Sequence, residues 1–426
     1  MERQAPRRPL RASSRGRDSS TRKHKPDYIL VLLSVLLLVV GLIVVYAISP
    51  GLSAQKGVGE NYFVTKQLTA IGLGLVAFTA AAFFPYSKWR SFQRPLLILA
   101  ILATLIALIT PVRPEYPAHR WIRFGGLSLQ SVEIVKMALL IGMAAFLEER
   151  IRLRQMHSTV YTLRPLVVML GVVGVIIAIL QRDFGSTAVI VAMTAAMAFV
   201  AGLPLMRVAQ VGAVILVALM ILILPFSYRR DRISTFMNPE RDCQDSGYQA
   251  CQALIAVGSG GLFGIGLQNS GQAFGYLPEA ANDSIFAIVS EKFGFVGASF
   301  LVCLFGLFFA RIKNIMERAP DNFSRLIVVG ILAWMSTQAF INIGAMIGLL
   351  PLKGITLPFI SYGGTSVVFV LAAVGMVFNI SRYTTYTVNE DTDEMSTLSL
   401  ERKVHENRAD WRRNRRPYHS DSGRSA

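Results

Sequence analysis

Three carboxylates interrupt a strongly apolar part of the chain. Glu279, Asp283 and Glu291 lie within YLPEAANDSIFAIVSEKFGFVG, residues 276–297, just before an apolar run long enough to cross a bilayer. Ionisable groups at membrane depth are costly, so their presence predicts a functional site. A carboxylate placed there can accept a proton from a hydroxyl, which is general-base chemistry. Helix capping at a hydrated loop edge is the alternative explanation.

The spacing of these carboxylates argues against a close acidic pair. Asn282 or Asp283 can cap a helix that begins at Ser284, and capping alone would account for Asp283. Glu291 lies two helical turns further on, about 12 Å away along the axis. We therefore expect Asp283 and Glu291 to serve different parts of the molecule.

A second charged stretch is HRWIRFGGLSLQSVEIVK, residues 119–136. Arg120 and Arg123 fall in a predicted outer loop, and Glu133 and Lys136 enter the next apolar segment. Because these two are three residues apart, they share one face of a helix and can pair. A buried ion pair is therefore the alternative to a substrate site.

Two turns at the same side of the chain carry further polar groups. QRDFGS, residues 181–186, predicts a tight turn with Arg182 and Asp183, which an N-cap would also explain. In residues 338–366 prolines and glycines interrupt two spans, which is tolerated where protein or a water-filled cavity covers the backbone. Lys353 adds a cation there. The polar side chains of this stretch that we expect to support the site are Gln338, Asn342 and Ser361.

The elements that must position these residues are membrane spans. The chain is 53% hydrophobic and only 16% charged, whereas soluble domains are about 45–50% apolar. A helix needs about 20 apolar residues to cross a hydrocarbon core of about 30 Å. The fourth and fifth qualifying segments are short and are expected to extend into their flanks or to tilt. The ten segments run roughly over 28–48, 67–84, 95–112, 132–147, 165–180, 186–202, 208–226, 295–313, 324–347 and 363–380.

We therefore predict an all-α polytopic membrane protein with about ten transmembrane helices. Residues 1–27 form a basic cytoplasmic tail, and residues 28–380 form the membrane domain. A long outer loop, 227–294, connects the seventh and eighth spans. Residues 381–426 have the composition of a disordered cytoplasmic tail.

The distribution of positive charge predicts the orientation. With the N-terminus inside, the two tails and the loops on their side carry 30 of the 43 Lys and Arg residues, whereas the outer loops carry about 12. Both termini are therefore expected in the cytoplasm. The net charge of +17 then reflects tails that lie along anionic lipid headgroups, which argues against nucleic-acid binding.

The long outer loop is not disordered in composition. GYQACQALIAVGSGGLFGIGL, residues 247–267, predicts a short interfacial helix followed by tight turns. Its glycines allow close approach to a ligand, and a glycine-rich packing connector is the alternative. Cys243 and Cys251 share this loop, and an oxidising exterior permits a disulfide between them. Cys303, within a span, is interpreted as a small apolar residue.

Three of these stretches resemble signatures of the SEDS family, which includes RodA and FtsW. Residues 258–297 resemble its long-loop signature, residues 350–366 its C-terminal signature and residues 120–136 its fourth-span signature. The resemblance covers about residues 28–385, which is nearly everything except the tails. The long-loop and C-terminal motifs are long and specific.

The resemblance implies a peptidoglycan glycosyltransferase of the bacterial cytoplasmic membrane. Such enzymes polymerise lipid II at the outer face and work with a class B penicillin-binding protein. The family's essential aspartate corresponds to Asp283, its fourth-span Glu and Lys to Glu133 and Lys136, and its arginine before tryptophan to Arg120. The basic N-terminal tail and PLKGITLPFISYGGTS are more similar to FtsW than to RodA, which implies the division septum and other divisome membrane proteins as partners.

The chain departs from the family pattern beside several of these residues. It has Gln130-Ser131-Val132-Glu133 where the family usually has Gln-Pro-Ser-Glu, and Asn282-Asp283-Ser284 where Thr-Asp-Phe is usual. It also has Glu291-Lys292 for Glu-Glu and Gln181-Arg182-Asp183 for Gln-Pro-Asp. Apart from Lys292, the acidic positions are kept and their neighbours differ.

The chemistry implied by the resemblance assigns roles to these residues. A sugar 4-hydroxyl attacks an anomeric carbon whose leaving group, a lipid pyrophosphate, is already a stable anion. The hydroxyl needs one base and the leaving group needs cations, so we expect Asp283 to be the general base. The expected substrate-binding residues are Arg120, Glu133, Lys136 and Lys353, and the expected supporting residues are Glu279, Glu291, Arg182 and Asp183. No cofactor or metal site is evident, and a divalent cation, Mg²⁺ or Mn²⁺, stays open.

Three other functions are alternatives to this one. A flippase for lipid-linked precursors would also have about ten spans and broken helices, but its polar groups would follow a path through the midplane. Here most of them map to the outer edge. A scaffold that only recruits a partner leaves the outer cations unexplained. A RodA-type elongation enzyme is the alternative within the family.

Overall fold

The apolar runs fold into a helical bundle in the computed structural model, which describes residues 22–23, 25–111, 119–124, 127–223, 243–244, 247–267 and 269–384. Residues Lys23–Thr384 form one compact unit. The helices are α1 (Tyr28–Lys56), α2 (Tyr62–Phe83), α3 (Gln93–Ile109), α4 (Ser131–Arg152), α5 (Arg164–Gly174), α6 (Phe184–Val200), α7 (Leu205–Ile223), α8 (Tyr248–Ser259), α9 (Ile285–Glu317), α10 (Asn322–Met346) and α11 (Gly364–Ile380).

Shorter elements join these helices. A 3₁₀ helix, Tyr86–Phe92, leads into α3, and another spans Gln272–Phe274. Single π-helical segments, Thr159–Leu163 and Val175–Leu180, flank α5. The strands are β1 (Arg22–Lys23), β2 (Trp121–Phe124), β3 (Leu127–Gln130) and β4 (Tyr383–Thr384).

Each predicted span overlaps a helix, and the predicted fold class is confirmed. Among the described residues, six helical stretches are long and apolar enough to cross a membrane, and three further apolar helices are shorter. The two short predicted spans do extend into their flanks, since α4 runs Ser131–Arg152 and the α5 region runs Thr159–Leu180. The count of ten spans stays a prediction. The six are Tyr28–Lys56, Tyr62–Phe83, Tyr86–Ile109, Thr159–Leu180, Ile285–Glu317 and Asn322–Met346.

The loop expected around Arg120 contains a β-hairpin instead. Strands β2 and β3 pair antiparallel, with Trp121 opposite Gln130 and Phe124 opposite Leu127. Two apolar-rich runs separated by a Gly-Gly pair are typical of a hairpin, so this connection is more regular than the plain loop that was expected. The hairpin brings Arg120 back to the start of α4, where its carbonyl accepts a hydrogen bond from Ser131 N at 3.1 Å.

Helix α10 lies near the centre of the bundle. It is the most buried of the candidate spans and packs against α4, α6 and α9. Helix α11 packs along α2, and a Cβ on Gly375 would lie 2.5 Å from the Phe78 carbonyl oxygen. A residue without a side chain is therefore required where these two backbones meet, as is common between membrane helices.

Helix α9 is broken at Gly294, whose φ of 67° and ψ of −167° are not helical. Residues 260–266 fill the break. Ile265 N and Gly266 N donate to the carbonyls of residues 291 and 292 at 3.0 and 3.1 Å, and Phe295 N donates to Gly261 O at 2.9 Å. The predicted turn before the eighth span is confirmed as this kink.

The glycine-rich stretch serves that kink. A Cβ on Gly264 would lie 2.1 Å from the carbonyl oxygen of Lys292, and one on Gly260 would lie 2.0 Å from that of Ser290. The packing alternative is therefore supported for these two glycines, and contact of the stretch with a ligand stays a prediction. The predicted short helix before them is present as α8.

Several predictions fall outside the described residues. They concern both tails (1–21 and 385–426) and most of the first part of the outer loop, 224–242. Cys243 and Cys251 are described and form a disulfide with a Cα–Cα distance of 5.6 Å, which attaches the loop to α8.

Candidate functional site

The backbone before α9 is held in place by hydrogen bonds that other segments donate to its main-chain carbonyls. The Ala281 carbonyl accepts a hydrogen bond from Tyr362 N at 2.8 Å, and the Asn282 carbonyl accepts one from Ser361 Oγ at 2.7 Å. The Asp283 carbonyl accepts one from Asn342 Nδ2 at 2.7 Å. Asn342 also donates to Ile355 O at 2.7 Å. The turn that carries Asp283 is thus tied both to α10 and to the irregular segment before α11.

Asp283 does not cap the helix that follows it. Helix α9 begins at Ile285 with Ser284 at the N-cap, and Ser284 makes no side-chain cap bond because its hydroxyl donates to Pro278 O at 3.0 Å. A turn closed by Ser284 N on Glu279 O leads into the helix instead. The capping alternative is therefore wrong, and none of the described residues donates a hydrogen bond to the Asp283 carboxylate.

The surroundings of Asp283 favour its neutral form. Burial of the carboxyl group is the largest effect, and the negative charges of Glu279 and Asp183 act in the same direction, against the positive charge of Arg120. Together they raise the pKa of Asp283 to about 7. A carboxylate that titrates near neutral pH is well matched to general-base catalysis.

Arg120 faces Asp283 across Gly354. A Cβ built on Gly354 would lie 3.1 Å from Asp283 Oδ2 and 3.5 Å from Arg120 Nη1. The guanidinium is anchored by main-chain carbonyls, because Nε donates to Gln181 O at 3.0 Å and Nη2 donates to Arg182 O. A fixed guanidinium of this kind is suited to a phosphate.

Gln181 and Ser131 complete the support of Arg120, and sequence reasoning missed both roles. Gln181 is fully buried and donates from Nε2 to Ser131 Oγ at 2.9 Å. Ser131 in turn contacts the Arg120 carbonyl, so the three residues close a loop. The sequence feature that could have indicated the role of Gln181 is its position as a single polar residue at the end of a long apolar run.

Glu133 and Lys136 form the buried ion pair that was the alternative to a substrate site. Lys136 Nζ lies 2.9 Å from Glu133 Oε1, and both side chains are 3% exposed. The ammonium also donates to Gln338 Oε1 at 3.2 Å and lies 4.6 Å from the centroid of the Trp334 ring. Neither charge is presented at the surface of the bundle.

Gln338 connects this pair to the segment before α11. Its Nε2 donates to Thr356 O at 2.8 Å and to Thr356 Oγ1 at 3.2 Å. Asn342 lies one helical turn further along α10, about 6 Å along the axis, and holds the Asp283 backbone. One face of α10 therefore supports both the buried pair and the aspartate.

The QRDFGS turn contributes one structural and one exposed residue. Asp183 is buried and caps α6 by accepting from Ser186 N at 3.0 Å and Ser186 Oγ at 2.9 Å, so its N-cap interpretation is supported. Arg182 is exposed. Lys353 lies over the first residue of α6, with Nζ 5.4 Å from the centroid of the Phe184 ring.

The other two carboxylates of the opening stretch have separate partners. Glu279 accepts a hydrogen bond from Asn282 Nδ2 within the turn. Glu291 is buried in α9, where it accepts from Ser270 Oγ at 2.5 Å and Gln272 N at 3.3 Å. As expected, the structure does not bring Glu291 to Asp283.

Backbone strain is concentrated around the site. Four described residues other than glycine have positive φ, and three of them are Arg182 (54°), Glu279 (51°) and Phe359 (65°). Such conformations persist only where the surrounding structure enforces them. Among the described residues, no group of three or more His, Cys, Asp or Glu side chains is arranged to hold a metal ion.

These features define a polytopic membrane protein with a polar site at one end of its helical bundle. The model of the cell cycle protein family of FtsW, RodA and SpoVE matches residues 28–386. The chain belongs to this family, and the resemblance identified in the sequence is confirmed.

Relatives and solved structures agree with this assignment. The chain is 38% identical over 370 residues to stage V sporulation protein E of Bacillus subtilis, covering 86% of this chain and 100% of that protein. It is 38% identical over 360 residues to a probable peptidoglycan glycosyltransferase FtsW of Saccharophagus degradans, covering 83% and 92%.

Two solved structures share the fold. One has a TM-score of 0.70 at 26% identity, and the match covers 84% of this chain and 98% of that chain. It is described as structural coordination of polymerization and crosslinking by a peptidoglycan synthase complex. A single-substitution variant of the rod shape determining protein RodA of Thermus thermophilus has a TM-score of 0.61 at 25% identity and covers 84% and 97%.

Proposed function

We propose that this protein is a peptidoglycan glycosyltransferase that polymerises lipid II into glycan strands, with Asp283 as the general base. The observation that carries the proposal is the setting of Asp283. Its backbone is held by Asn342, its pKa is raised to about 7, and it faces Arg120 across Gly354. The relatives named as FtsW glycosyltransferases support the same reaction class.

In the proposed reaction the Asp283 carboxylate accepts the proton of a sugar 4-hydroxyl. The hydroxyl oxygen forms a bond to the anomeric carbon of the donor sugar. The bond from that carbon to the lipid pyrophosphate breaks, and the pyrophosphate leaves with the electron pair. Because this leaving group is a stable anion, cations stabilise it and no general acid is needed.

The residues that would hold the pyrophosphate are Arg120, Arg182 and Lys353. Arg120 has a fixed guanidinium beside Asp283, and Arg182 and Lys353 lie on the adjoining turns. Glu133 and Lys136 are too deeply buried to meet a substrate at the surface. Their role in the proposal is to position α10, and through Gln338 and Asn342 the catalytic turn.

The cellular setting is proposed from the charge distribution and the relatives. Both termini face the cytoplasm, and the Asp283 end of the bundle faces outward, since most Lys and Arg residues lie on the other side. A class B penicillin-binding protein is the proposed partner. The similar solved structure that is described as a peptidoglycan synthase complex supports such a pairing. The similarity to FtsW proteins supports a place at the division septum, with other divisome proteins.

The test is polymerisation of labelled lipid II by the purified protein together with its transpeptidase partner. General-base catalysis contributes about 10²–10⁴-fold, so Asp283→Asn should lower the rate by about that factor while keeping the size of the side chain. Glu279→Gln and Glu291→Gln should cost less. Glu149→Gln, at the far end of α4, is the matched control and should polymerise like the unmodified protein.

An Asp283→Asn protein that polymerises at nearly the original rate would contradict the assignment. Glu279 would then be the next candidate base. Loss of membrane insertion or of the partner complex in Asp283→Asn would show a structural role instead, so both are measured on the same samples.

A further inference from the structure

A groove lies between α3, α4 and α5, towards the end of the helical bundle opposite Asp283. Its volume is about 410 Å³, within the range of about 300–1,000 Å³ typical of ligand sites. Its lining includes Arg94, Leu97, Gly142, Phe146, Pro165 and Met169.

The groove has an apolar body and a cationic rim. Arg94 and Gln93 lie at the start of α3, and Pro165 lies at the start of α5. The lining side chains along α4 extend from Phe146 to Ala138, which is about 12 Å of helix. None of the described residues that line the groove is Asp or Glu, so their electrostatic character is positive at the rim.

Arg94 differs from the neighbouring arginine. Arg90, one turn earlier, pairs with Glu148 at 3.1 Å and with Glu149 at 3.4 Å. Arg94 is exposed, and within the described part of the chain no carboxylate pairs with it. Gly142 opens the groove, because a Cβ there would meet no atom within 4 Å.

We propose that this groove binds one acyl chain of an anionic phospholipid, with the lipid phosphate on Arg94. The walls are formed by candidate membrane spans and by α4, so the apolar body faces lipid rather than bulk water. A basic residue near the membrane surface attracts anionic headgroups. The site is separate from Asp283 and does not depend on the proposed reaction.

Native mass spectrometry of the purified full-length protein tests the proposal, with phosphatidylglycerol and phosphatidylcholine of identical acyl chains as probes. The unmodified protein should bind one phosphatidylglycerol molecule about fivefold more tightly than phosphatidylcholine, the preference expected from one arginine near the surface. Arg94→Gln should abolish that preference. Gly142→Phe, which fills the groove, should remove the tight site for both lipids.

Two controls match these variants. Lys88→Gln removes a cation from the same end of the molecule but outside the groove, and Gly171→Phe adds the same ring to α5 at a position where a Cβ also meets open space. Both should bind as the unmodified protein does.

Equal binding of the two lipids by the unmodified protein would overturn the proposal, as would an unchanged preference in Arg94→Gln. Because Arg94 is exposed, that variant tests the site even if Gly142→Phe does not fold. Displacement of bound phosphatidylglycerol by a polyprenyl phosphate at equal concentration would show that the groove belongs to an isoprenoid lipid, and would also overturn the assignment.

Discussion

The two ends of the helical bundle differ in how their carboxylates are paired with cations. At the end that carries the first turn of α3, Arg90 lies between Glu148 and Glu149. Nearby, Asp27 and Arg311 pair at 2.6 Å. Each of these carboxylates has a cation within salt-bridge distance.

At the other end Asp283 lies near two like charges and, among the described residues, has no salt-bridge partner. Asp283 is influenced by Glu279 and Asp183, and only Arg120 opposes them. The Arg120 guanidinium is itself bonded to main-chain carbonyls. The same residue types therefore form salt bridges at one end, whereas at the other end Asp283 titrates near neutral pH. The difference depends on what surrounds the carboxyl group.

The largest expected effect on stability concerns the buried pair between these ends. Lys136→Met leaves Glu133 charged in the interior, which should lower the free energy of unfolding by about 3–5 kcal/mol. Arg152→Gln removes an exposed partner of Glu149 and should cost less than about 1 kcal/mol. Denaturant titration in mixed micelles measures both.

Exchange of the pair separates structure from substrate contact. The double variant Glu133→Lys with Lys136→Glu should keep both stability and polymerisation if the pair only positions α10. A stable but inactive exchange variant would show that the Lys136 ammonium acts on the substrate after all.

A smaller effect is expected at Gly354, which separates Asp283 from Arg120. The methyl group of Gly354→Ala would lie 3.1 Å from Asp283 Oδ2, and displacement of about 1 Å in an active site can cost about 10²-fold in rate. We expect a loss of up to that size with little change in stability. Gly364→Ala, whose Cβ would meet open space, is the control, and equal activity of the two variants would show that the gap at Gly354 is not used.

The smallest expected effects are shifts in pH dependence. A general base acts ionised, so kcat/KM should rise tenfold per pH unit up to about pH 7, where Asp283 titrates, and then level off. Glu279→Gln removes a charge that raises this pKa and should move the rising limb to lower pH. Arg120→Gln removes a positive charge that lowers this pKa. In its residual activity the rising limb of kcat/KM should therefore move to higher pH. If the rising limb stays at the same pH in both variants, it reports the titration of a group other than Asp283.

The sequence predicted those features that depend on local pattern. Apolar length located the spans, because a helix must satisfy its backbone within the bilayer. The separation of three between Glu133 and Lys136 predicted their pairing. The turn composition of QRDFGS anticipated Asp183 as a cap.

Contacts between distant segments could not be predicted in this way. Asn342 reaches Asp283 O across 59 residues, and Arg120 reaches Gln181 O across 61. In both cases the acceptor is a main-chain carbonyl, which every residue has, so its position along the chain carries no compositional signal. The capping alternative for Asn282 or Asp283 was wrong because α9 begins one residue later than expected, with Ser284 at its N-cap.

The break at Gly294 also divides α9 by task. Residues 295–317 number 23, which is enough to cross a hydrocarbon layer of about 30 Å. The part before the break is therefore not needed for spanning. It follows the Asp283 turn, and its carbonyls at residues 291 and 292 accept hydrogen bonds from Ile265 N and Gly266 N. A thinner or thicker bilayer changes the tilt of a span. Residues 261 and 262 also accept hydrogen bonds from Phe295 N and Val296 N at 2.9 and 3.1 Å. The same stretch therefore holds both sides of the break, and we expect a change of tilt to reach the Asp283 turn through it.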